Sequence, residues 1–397
     1  MKIINYNSHY IDKKDILSVA KVLQKEKITQ GKKAKQFEKK ICKIFKSKYC
    51  SVVSNGTAAL HLSALALNFN KNDIVISSPI TFLAGPNSVM YCGAKPFFVD
   101  INHKTYNIDV DKLEKKLVEF NLKKKKIKAL IATDYAGQPC DWKKLKKLSI
   151  KYKFFLINDN CHAIGAKYDG DIGYAAKYAD IVIHSYHAAK NITTGEGGAV
   201  LTNNKKIYEK IEIFKNHGLI KTNKKTLNPN WPYEMHELGF NYRLTDFQCA
   251  LGISQLSKLK KFVKKRQEIA IKYYKKLKNF PNIVLPYLEK NISHSFHLFP
   301  ITINFKNYNF NKNKLINFFR KKKIYLQSHY FPIYLQPFYK KKLKLKKNFL
   351  RNSEKYFEST VSLPIYLKLK DKEINYIVKL LKNKLKKNKL KMKSGSK

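Results

Sequence analysis

The sequence is poor in arginine and in acidic residues. Only four of the 80 basic residues are Arg, and 28 acidic residues leave a formal net charge of +52. Arg is the side chain best suited to bidentate contacts with phosphate and guanine, and the lysines are spread along the whole chain. This pattern favours compositional drift on solvated surfaces and indicates no specific nucleic-acid partner. Binding of polyanions is the alternative interpretation.

Cysteine and long apolar runs are also scarce. The six cysteines are scattered, with no C-x-x-C pair and no histidine at zinc-ligand spacing, so we expect free thiols and no metal. No run approaches the roughly 18 apolar residues of a membrane span. The N-terminal stretch lacks an apolar signal core, so we expect a cytoplasmic protein that does not enter a membrane.

Short apolar runs alternate with helical patterns between about residues 49 and 203. This alternation predicts an α/β fold with a mostly parallel sheet covered by helices on both faces. In such sheets ligands bind beyond the carboxyl ends of the strands, which directs attention to the loops that follow them. The predicted strands are 49–54, 73–78, 95–100, 128–135, 154–159, 180–186 and 198–203.

Three regions are predicted along the chain. Residues 1–250 form a large domain that begins with an N-terminal substrate segment, and 251–385 form a linking helix and a smaller α+β domain. A long helical pattern from about Thr245 to Leu277 connects the two. Within the smaller domain, residues 324–331 have the composition of a strand. Residues 386–397 are expected to be a disordered basic tail.

Two motifs at strand ends contain residues suited to ligand binding or catalysis. In "SNGTAAL", Gly56 and Thr57 open a helix, whose free N–H groups and partial positive charge suit a phosphate; the motif is equally typical of a simple N-cap turn. In "NDNCHAIG", Asp159 ends an apolar strand, where a carboxylate needs a cationic or N–H partner. His162 follows three residues later. A helix cap is the alternative role for Asp159.

A third motif, "HSYHAAKNITTGEGGAV", begins at His184. Ser185 and Lys190 follow a strand of buried character, and glycines follow them. A lysine on such a loop can form a Schiff base, because desolvation and nearby positive charge lower its pKa and free the amine lone pair. Taken alone, the motif is more typical of an ordinary exposed lysine.

Together the three motifs supply what pyridoxal 5′-phosphate requires. The cofactor needs a phosphate cup, a carboxylate for its pyridine nitrogen and a lysine for its aldehyde. Phe82 follows another strand end and is placed to stack on the pyridine ring. The sequence therefore predicts a pyridoxal-phosphate enzyme.

These motifs resemble those of the DegT-like nucleotide-sugar aminotransferases. The resemblance covers about residues 4–382 and includes "PITFLAGPNS", "DYAGQP", "NHGL" and "GFNYRLTDFQCALG". It implies pyridoxal-phosphate fold type I, the aspartate aminotransferase-like fold, with a mostly parallel seven-stranded sheet flanked by helices and a smaller α+β C-terminal domain. It also implies a UDP-sugar and L-glutamate as substrates, and a homodimer whose active sites are shared across the interface.

The resemblance also implies roles for individual residues. Lys190 matches the lysine that carries the cofactor, and its presence disfavours a related dehydratase branch that has His there. Asp159 matches the partner of the pyridine nitrogen, and His162 occupies the position, often Gln, that reaches the phenolic oxygen. The other matches are Phe82 for stacking, and Gly56, Thr57 and Ser185 for the phosphate. Asn241 matches a residue that reaches the phosphate from the second subunit. Tyr6 and His329 match positions near the sugar or near the partner's loops.

Two alternatives stay open from sequence. One concerns the sugar: the cofactor motifs do not report sugar specificity, so a sugar aminotransferase for another UDP-keto-sugar or for a dTDP-keto-sugar fits them equally. The other is a non-enzymatic polyanion-binding protein on the same fold, motivated by the charge of +52.

Overall fold

The computed structural model describes residues 3–221 and 233–389. Its strands are β1 (Tyr49–Val53), β2 (Ile74–Ser77), β3 (Lys95–Phe98), β4 (Ile127–Thr133), β5 (Phe155–Asp159), β6 (Lys167–Tyr168), β7 (Ile181–Ser185), β8 (Gly198–Thr202), β9 (Leu219–Lys221), β10 (Tyr233–Met235), β11 (Ile283–Val284), β12 (Ile292–Ser293), β13 (Phe299–Ile303) and β14 (Thr360–Leu363).

The helices lie between these strands and at both ends of the chain. They are α1 (Lys13–Lys25), α2 (Lys32–Phe45), α3 (Gly56–Ala66), α4 (Ala84–Tyr91), α5 (Val110–Leu122), α6 (Trp142–Tyr152), α7 (Tyr174–Tyr178), α8 (Lys205–Phe214), α9 (Asp246–Leu256), α10 (Leu259–Leu277), α11 (Lys312–Lys321), α12 (Pro337–Leu343), α13 (Arg351–Ser359) and α14 (Asp371–Lys387). Short 3₁₀ turns occur at Tyr135–Gly137, Phe305–Asn307 and Ile333–Leu335.

A seven-stranded sheet forms the centre of the large domain, in the order β1-β8-β7-β5-β4-β2-β3. The strands β3, β2, β4, β5 and β7 are mutually parallel, whereas β8 is antiparallel to both β7 and β1. All seven predicted strands are confirmed, each within two residues of its predicted ends. Every residue of β7 and β8 is buried, which explains why these strands read as continuous apolar runs.

Helices cover both faces of this sheet, as the alternation predicted. Successive strand residues point to opposite faces, so Leu130 packs in one core together with α2, α5 and α6, and Ile131 packs in a second core with α3, α4 and α8. With both faces covered, the ends of the strands are the exposed part of the sheet. The site is therefore expected at the ends of the strands, where the loops that follow them meet.

The smaller domain contains the antiparallel sheet β11-β13-β14. Its core includes residues from α10, α11 and α14, and also Ile4 from the N-terminal segment. The expected strand at 324–331 is wrong: Ile324 and Gln327 form isolated bridges, to Ile4 and Ser362 respectively. Because those two partners come from separate parts of the chain, the segment has no continuous neighbour with which to form a ladder.

The single long helix predicted from Thr245 to Leu277 is also wrong. The chain forms α9 and α10, separated by Ser257 and Lys258. α9 packs against α1 and α2, whereas α10 packs against α14. α10 itself connects the two domains, because Leu259, Phe262 and Val263 pack in the core of the large domain and its later turns pack in that of the smaller one. No Gly or Pro marks this break in the sequence.

The predicted region boundaries fall inside helices. The boundary after residue 250 lies within α9, and the predicted tail begins in the last turn of α14, which ends at Lys387. The rest of that tail, 390–397, lies outside the described residues. Within the described ranges, no helix is both long enough and apolar enough to cross a bilayer.

Candidate active site

A cavity of about 710 Å³ opens at the carboxyl ends of β5 and β7 and at the N-terminus of α3. It brings together residues as distant in the chain as Tyr6 and Tyr330. Of the residues that the sequence identified, those lining it are Tyr6, Gly56, Thr57, Phe82, Asp159, His162, Ser185, Lys190 and His329.

The N-terminus of α3 forms a cradle beside Ser185. Asn55 is the N-cap residue, and its side chain accepts the N–H of Ala58 at 2.8 Å. The N–H groups of Gly56 and Thr57 lie in the first turn, where they have no partner within the helix. A Cβ at position 56 would lie 3.0 Å from the Cβ and 3.3 Å from the Oγ of Ser185. Only glycine therefore leaves this cradle open for an anion.

Asp159 presents a buried carboxylate without a cationic partner. It is 6% exposed and accepts hydrogen bonds from the Thr133 hydroxyl and from the Cys161 N–H, each at 3.2 Å. Within the described residues, no Lys, Arg or His nitrogen pairs with it within 4.0 Å. A buried carboxylate is costly unless a positive group balances it. The arrangement suits a ligand that brings a protonated ring nitrogen.

Lys190 lies on the loop between β7 and β8, and its N–H donates to the His187 carbonyl at 2.9 Å. Burial lowers the pKa of its amine, although the nearby groups of Cys161 and Asp159 oppose that shift. A lower pKa increases the fraction of neutral amine, which is the nucleophilic form. Of the described residues that line the cavity, Lys190 is the one lysine.

His162 is held as a neutral ring. Burial, together with the charge of Lys190, holds the pKa of its imidazole well below the usual range. Its Nδ1 accepts the N–H of Ala136 at 3.4 Å, and its Nε2 lies 3.2 Å from the hydroxyl of Tyr330. Because a backbone N–H can only donate, Nδ1 is the acceptor, and we assign the ring proton to Nε2.

Aromatic rings and histidines line the wall next to the smaller domain. The rings of Tyr6 and His329 are 5.6 Å apart, and His329 Nδ1 lies 2.8 Å from the Ser362 hydroxyl. Phe82 is 55% exposed, with its ring 6.3 Å from that of Tyr330. Tyr6, Phe82, His329 and Tyr330 all line the cavity.

Asn241 does not line this cavity. Its side chain is exposed, and its backbone bridges to Asn216. The role expected for Asn241 concerned a second subunit, and it stays a prediction. Its neighbour Tyr242 does line the cavity, with its hydroxyl 3.3 Å from His61 Nδ1.

Sequence reasoning missed several lining residues. Asn55 and Tyr330 stand beside identified residues, so their position in the motifs was a usable signal. His297 gave no signal because it precedes an apolar strand and reads as part of it. It is 4% exposed, its ring lies 4.5 Å from that of His162, and its Nδ1 has no hydrogen-bond partner in the part of the chain described.

The residues present fit pyridoxal phosphate. The cradle at Gly56 suits the phosphate, the unpaired carboxylate of Asp159 suits the pyridine nitrogen, and the desolvated amine of Lys190 suits the aldehyde. Across residues 3–221 and 233–389, no group of three His, Cys, Asp or Glu side chains is arranged to hold a metal ion.

Comparison with known proteins agrees with this geometry. UDP-4-amino-4,6-dideoxy-N-acetyl-β-L-altrosamine transaminase of Campylobacter jejuni is 36% identical over 374 residues, which cover 94% of this chain and 95% of that protein. PseC of Helicobacter pylori, an aminotransferase involved in the biosynthesis of pseudoaminic acid, has a TM-score of 0.87 at 31% identity, covering 97% of this chain and 100% of that one.

A second solved structure concerns the cofactor. Spr1654 of Streptococcus pneumoniae in its PLP form has a TM-score of 0.88 at 26% identity, covering 97% of this chain and 99% of that one. The family model described as the DegT/DnrJ/EryC1/StrS aminotransferase family matches residues 9–382. The fold, the cavity and these matches lead to one conclusion: the chain belongs to the DegT/DnrJ/EryC1/StrS family and is a pyridoxal-phosphate-dependent sugar aminotransferase.

Proposed function

We propose that this enzyme moves the amino group of L-glutamate to C4 of UDP-2-acetamido-2,6-dideoxy-β-L-arabino-hex-4-ulose. The product is UDP-4-amino-4,6-dideoxy-N-acetyl-β-L-altrosamine, an intermediate of pseudaminic acid biosynthesis. The observation that carries the chemistry is the convergence of Lys190, Asp159 and the cradle at Gly56 on one cavity. The choice of sugar is supported by the names of the Campylobacter and Helicobacter relatives.

The bound cofactor supplies an aldehyde and an electron sink. Lys190 would hold the cofactor covalently through its Nζ. When the amino donor has taken that place, the free Nζ would take the proton from the α-carbon of glutamate. In the second half of the cycle the same Nζ would deliver a proton to C4 of the sugar.

The other lining residues hold and tune the cofactor. The carboxylate of Asp159 would keep the pyridine nitrogen protonated, and the Nε2–H of His162 would donate to the phenolic oxygen. Because the imidazole of His162 stays neutral at neutral pH, this hydrogen bond adds no charge to the site. The N–H groups of Gly56 and Thr57 and the hydroxyl of Ser185 hold the phosphate, and Phe82 stacks on the ring.

The keto-sugar is proposed to lie against the wall formed by Tyr6 and His329. This wall is polar and aromatic at once: the ring of Tyr6 faces the cavity, and His329 carries a hydrogen-bonding imidazole. Aromatic faces bind the apolar face of a pyranose, and ring nitrogens bind its hydroxyl or carbonyl oxygens.

A panel of keto-sugars tests the choice of substrate. We expect the purified UDP-4-keto-6-deoxy sugar to be aminated with stoichiometric loss of glutamate, and the product to have the mass of the 4-amino sugar. The matched substrates are the C5 epimer on UDP and a dTDP-linked 4-keto-6-deoxy hexose. Higher kcat/KM for either of these would contradict the proposed sugar while leaving the aminotransferase activity intact.

We also propose a homodimer in which Asn241 of each chain reaches the cofactor phosphate of the other. In support, Asn241 is exposed and lies outside its own cavity. Of the exposed aromatic side chains, Phe82 and Tyr91 line the cavity, and Tyr91 also lines a neighbouring pocket together with Phe338. Sedimentation is expected to give about twice the chain mass of 46.3 kDa. A species of single-chain mass that binds the cofactor fully would contradict the shared site.

A further inference from the structure

Arg266 on α10 is a buried cation with no acidic partner among the described residues. It is 2% exposed. Its Nη1 donates to the backbone carbonyls of Phe296 at 3.2 Å, His297 at 3.4 Å and Ile365 at 3.0 Å. A buried guanidinium is costly unless its donors are satisfied. The three carbonyls therefore fix its position firmly within the smaller domain.

The second nitrogen of Arg266 reaches the N-terminal segment. Its Nη2 donates to Asn7 Oδ1 at 3.4 Å, and the same oxygen accepts the N–H of Ser8 at 2.7 Å. The Nδ2 of Asn7 donates to the carbonyl of Ala189 at 2.5 Å. Ala189 immediately precedes Lys190, so the Asn7 side chain joins the fixed guanidinium to the loop that carries the reactive amine.

The backbone of this segment is fastened to the smaller domain. The Ile4 N–H donates to the Lys323 carbonyl at 2.9 Å, and the Tyr325 N–H donates to the Ile4 carbonyl at 2.9 Å. The Ile365 N–H donates to the Tyr6 carbonyl at 3.1 Å. Because the backbone immediately before Asn7 is held at Ile4 and Tyr6, Asn7 has little freedom to follow the loop. Its side chain sets where Ala189 lies.

We propose that Asn7 is a positioning residue that sets the Lys190 loop against the smaller domain, with Arg266 as its fixed anchor. Asn7 does not line the cavity, so it acts through the backbone of Ala189. This inference rests on the proposed role of Lys190. If the Asn7 amide is lost, the Ala189 carbonyl loses its donor, and Lys190 no longer meets the cofactor aldehyde in a single geometry.

Two substitutions separate positioning from a purely structural contact. Asn7→Ala removes all three hydrogen bonds of the side chain, to Arg266, Ser8 and Ala189. Asn7→Asp keeps an oxygen for Arg266 and for the Ser8 N–H, and adds charge to the Arg266 contact, but it has no N–H to donate to Ala189. The matched control is Asn203→Ala. Asn203 also donates to a backbone carbonyl, that of Ala176, and accepts a backbone N–H, that of Lys48, each at 2.8 Å.

The readouts are the affinity of the apo-protein for pyridoxal phosphate, the fraction of chains labelled covalently after borohydride reduction, and Tm. We expect both Asn7 variants to bind the cofactor about tenfold more weakly, with a smaller labelled fraction. Asn7→Asp is expected to keep the wild-type Tm, and Asn203→Ala to keep wild-type affinity and labelling.

Wild-type affinity and labelling in Asn7→Asp would overturn the inference, because the contact with Arg266 would then suffice. Wild-type behaviour of Asn7→Ala would overturn it as well. Lys190→Ala serves as the reference in the same assay. Covalent labelling that persists in Lys190→Ala would refute the proposed function itself. If labelling is lost in Lys190→Ala but the Asn7 substitutions have no effect, only the inference about Asn7 is refuted.

Discussion

Lys190→Ala is expected to abolish both transamination and the visible absorbance of the lysine-bound cofactor. The physical reason is that Lys190 is the one lysine among the described lining residues, and burial lowers the pKa of its amine. Losing the group that moves the proton alone costs on the order of 10⁴-fold in rate. Losing covalent attachment adds to that cost.

Absorbance spectra and initial rates, measured with added pyridoxal phosphate, test this expectation. Lys205→Ala is a suitable control because Lys205 is an exposed residue at the start of α8 and is outside the cavity. It should keep the spectrum and the rate of the wild type. A small primary amine added to Lys190→Ala should restore part of the proton transfer. Retention of both the absorbance and the turnover in Lys190→Ala would show that another residue carries the chemistry.

Asp159→Asn is expected to reduce kcat by about 10²–10³-fold, the range observed when one preorganised electrostatic contact is removed. The amide can still bond the pyridine nitrogen but cannot hold it protonated, so the electron sink weakens. The spectrum of the lysine-bound cofactor should persist at saturating cofactor, because Lys190 is intact. The wavelength of its absorbance maximum, however, should differ from that of the wild type.

Stability measurements give Asp159→Asn a second, independent readout. The carboxylate is buried and pairs with no cation among the described residues, so its removal should leave the apo-protein at least as stable as the wild type. The gain in Tm on adding cofactor should shrink, since tighter binding gives greater stabilisation. Asp180→Asn is the control: Asp180 accepts the Leu156 N–H at the opposite end of the strands. A wild-type kcat in Asp159→Asn would contradict the proposed role.

Much of the cofactor site was predictable because each of its motifs is local. Gly56 and Thr57 follow the end of β1 directly, and Asp159 and Ser185 are the last residues of β5 and β7. Strand ends of one parallel sheet meet at one edge, so the apolar runs that identify the strands also locate these residues. The sequence pattern alone therefore predicts that these residues lie close together.

The breaks in regular structure were not predictable from periodicity. The apolar pattern of α9 continues into α10, and only the backbone turn at Ser257 and Lys258 shows where one helix ends. The segment 324–331 has the composition of a strand, but Ile324 and Gln327 find partners from distant parts of the chain. Tertiary context overrides propensity in such segments.

By itself, the sequence determined the α/β architecture and the cofactor, and it predicted Lys190 as the residue that binds the cofactor, because those features depend on strand and helix patterns within a few residues of each motif. The tertiary structure alone decided that Asp159 has no cationic partner in the described chain, that His297 and Tyr330 enter the cavity, and that Asn7 joins Arg266 to Ala189. These contacts connect side chains separated by tens to hundreds of residues. No local pattern encodes them, because they exist only once two domains and the N-terminal segment pack together.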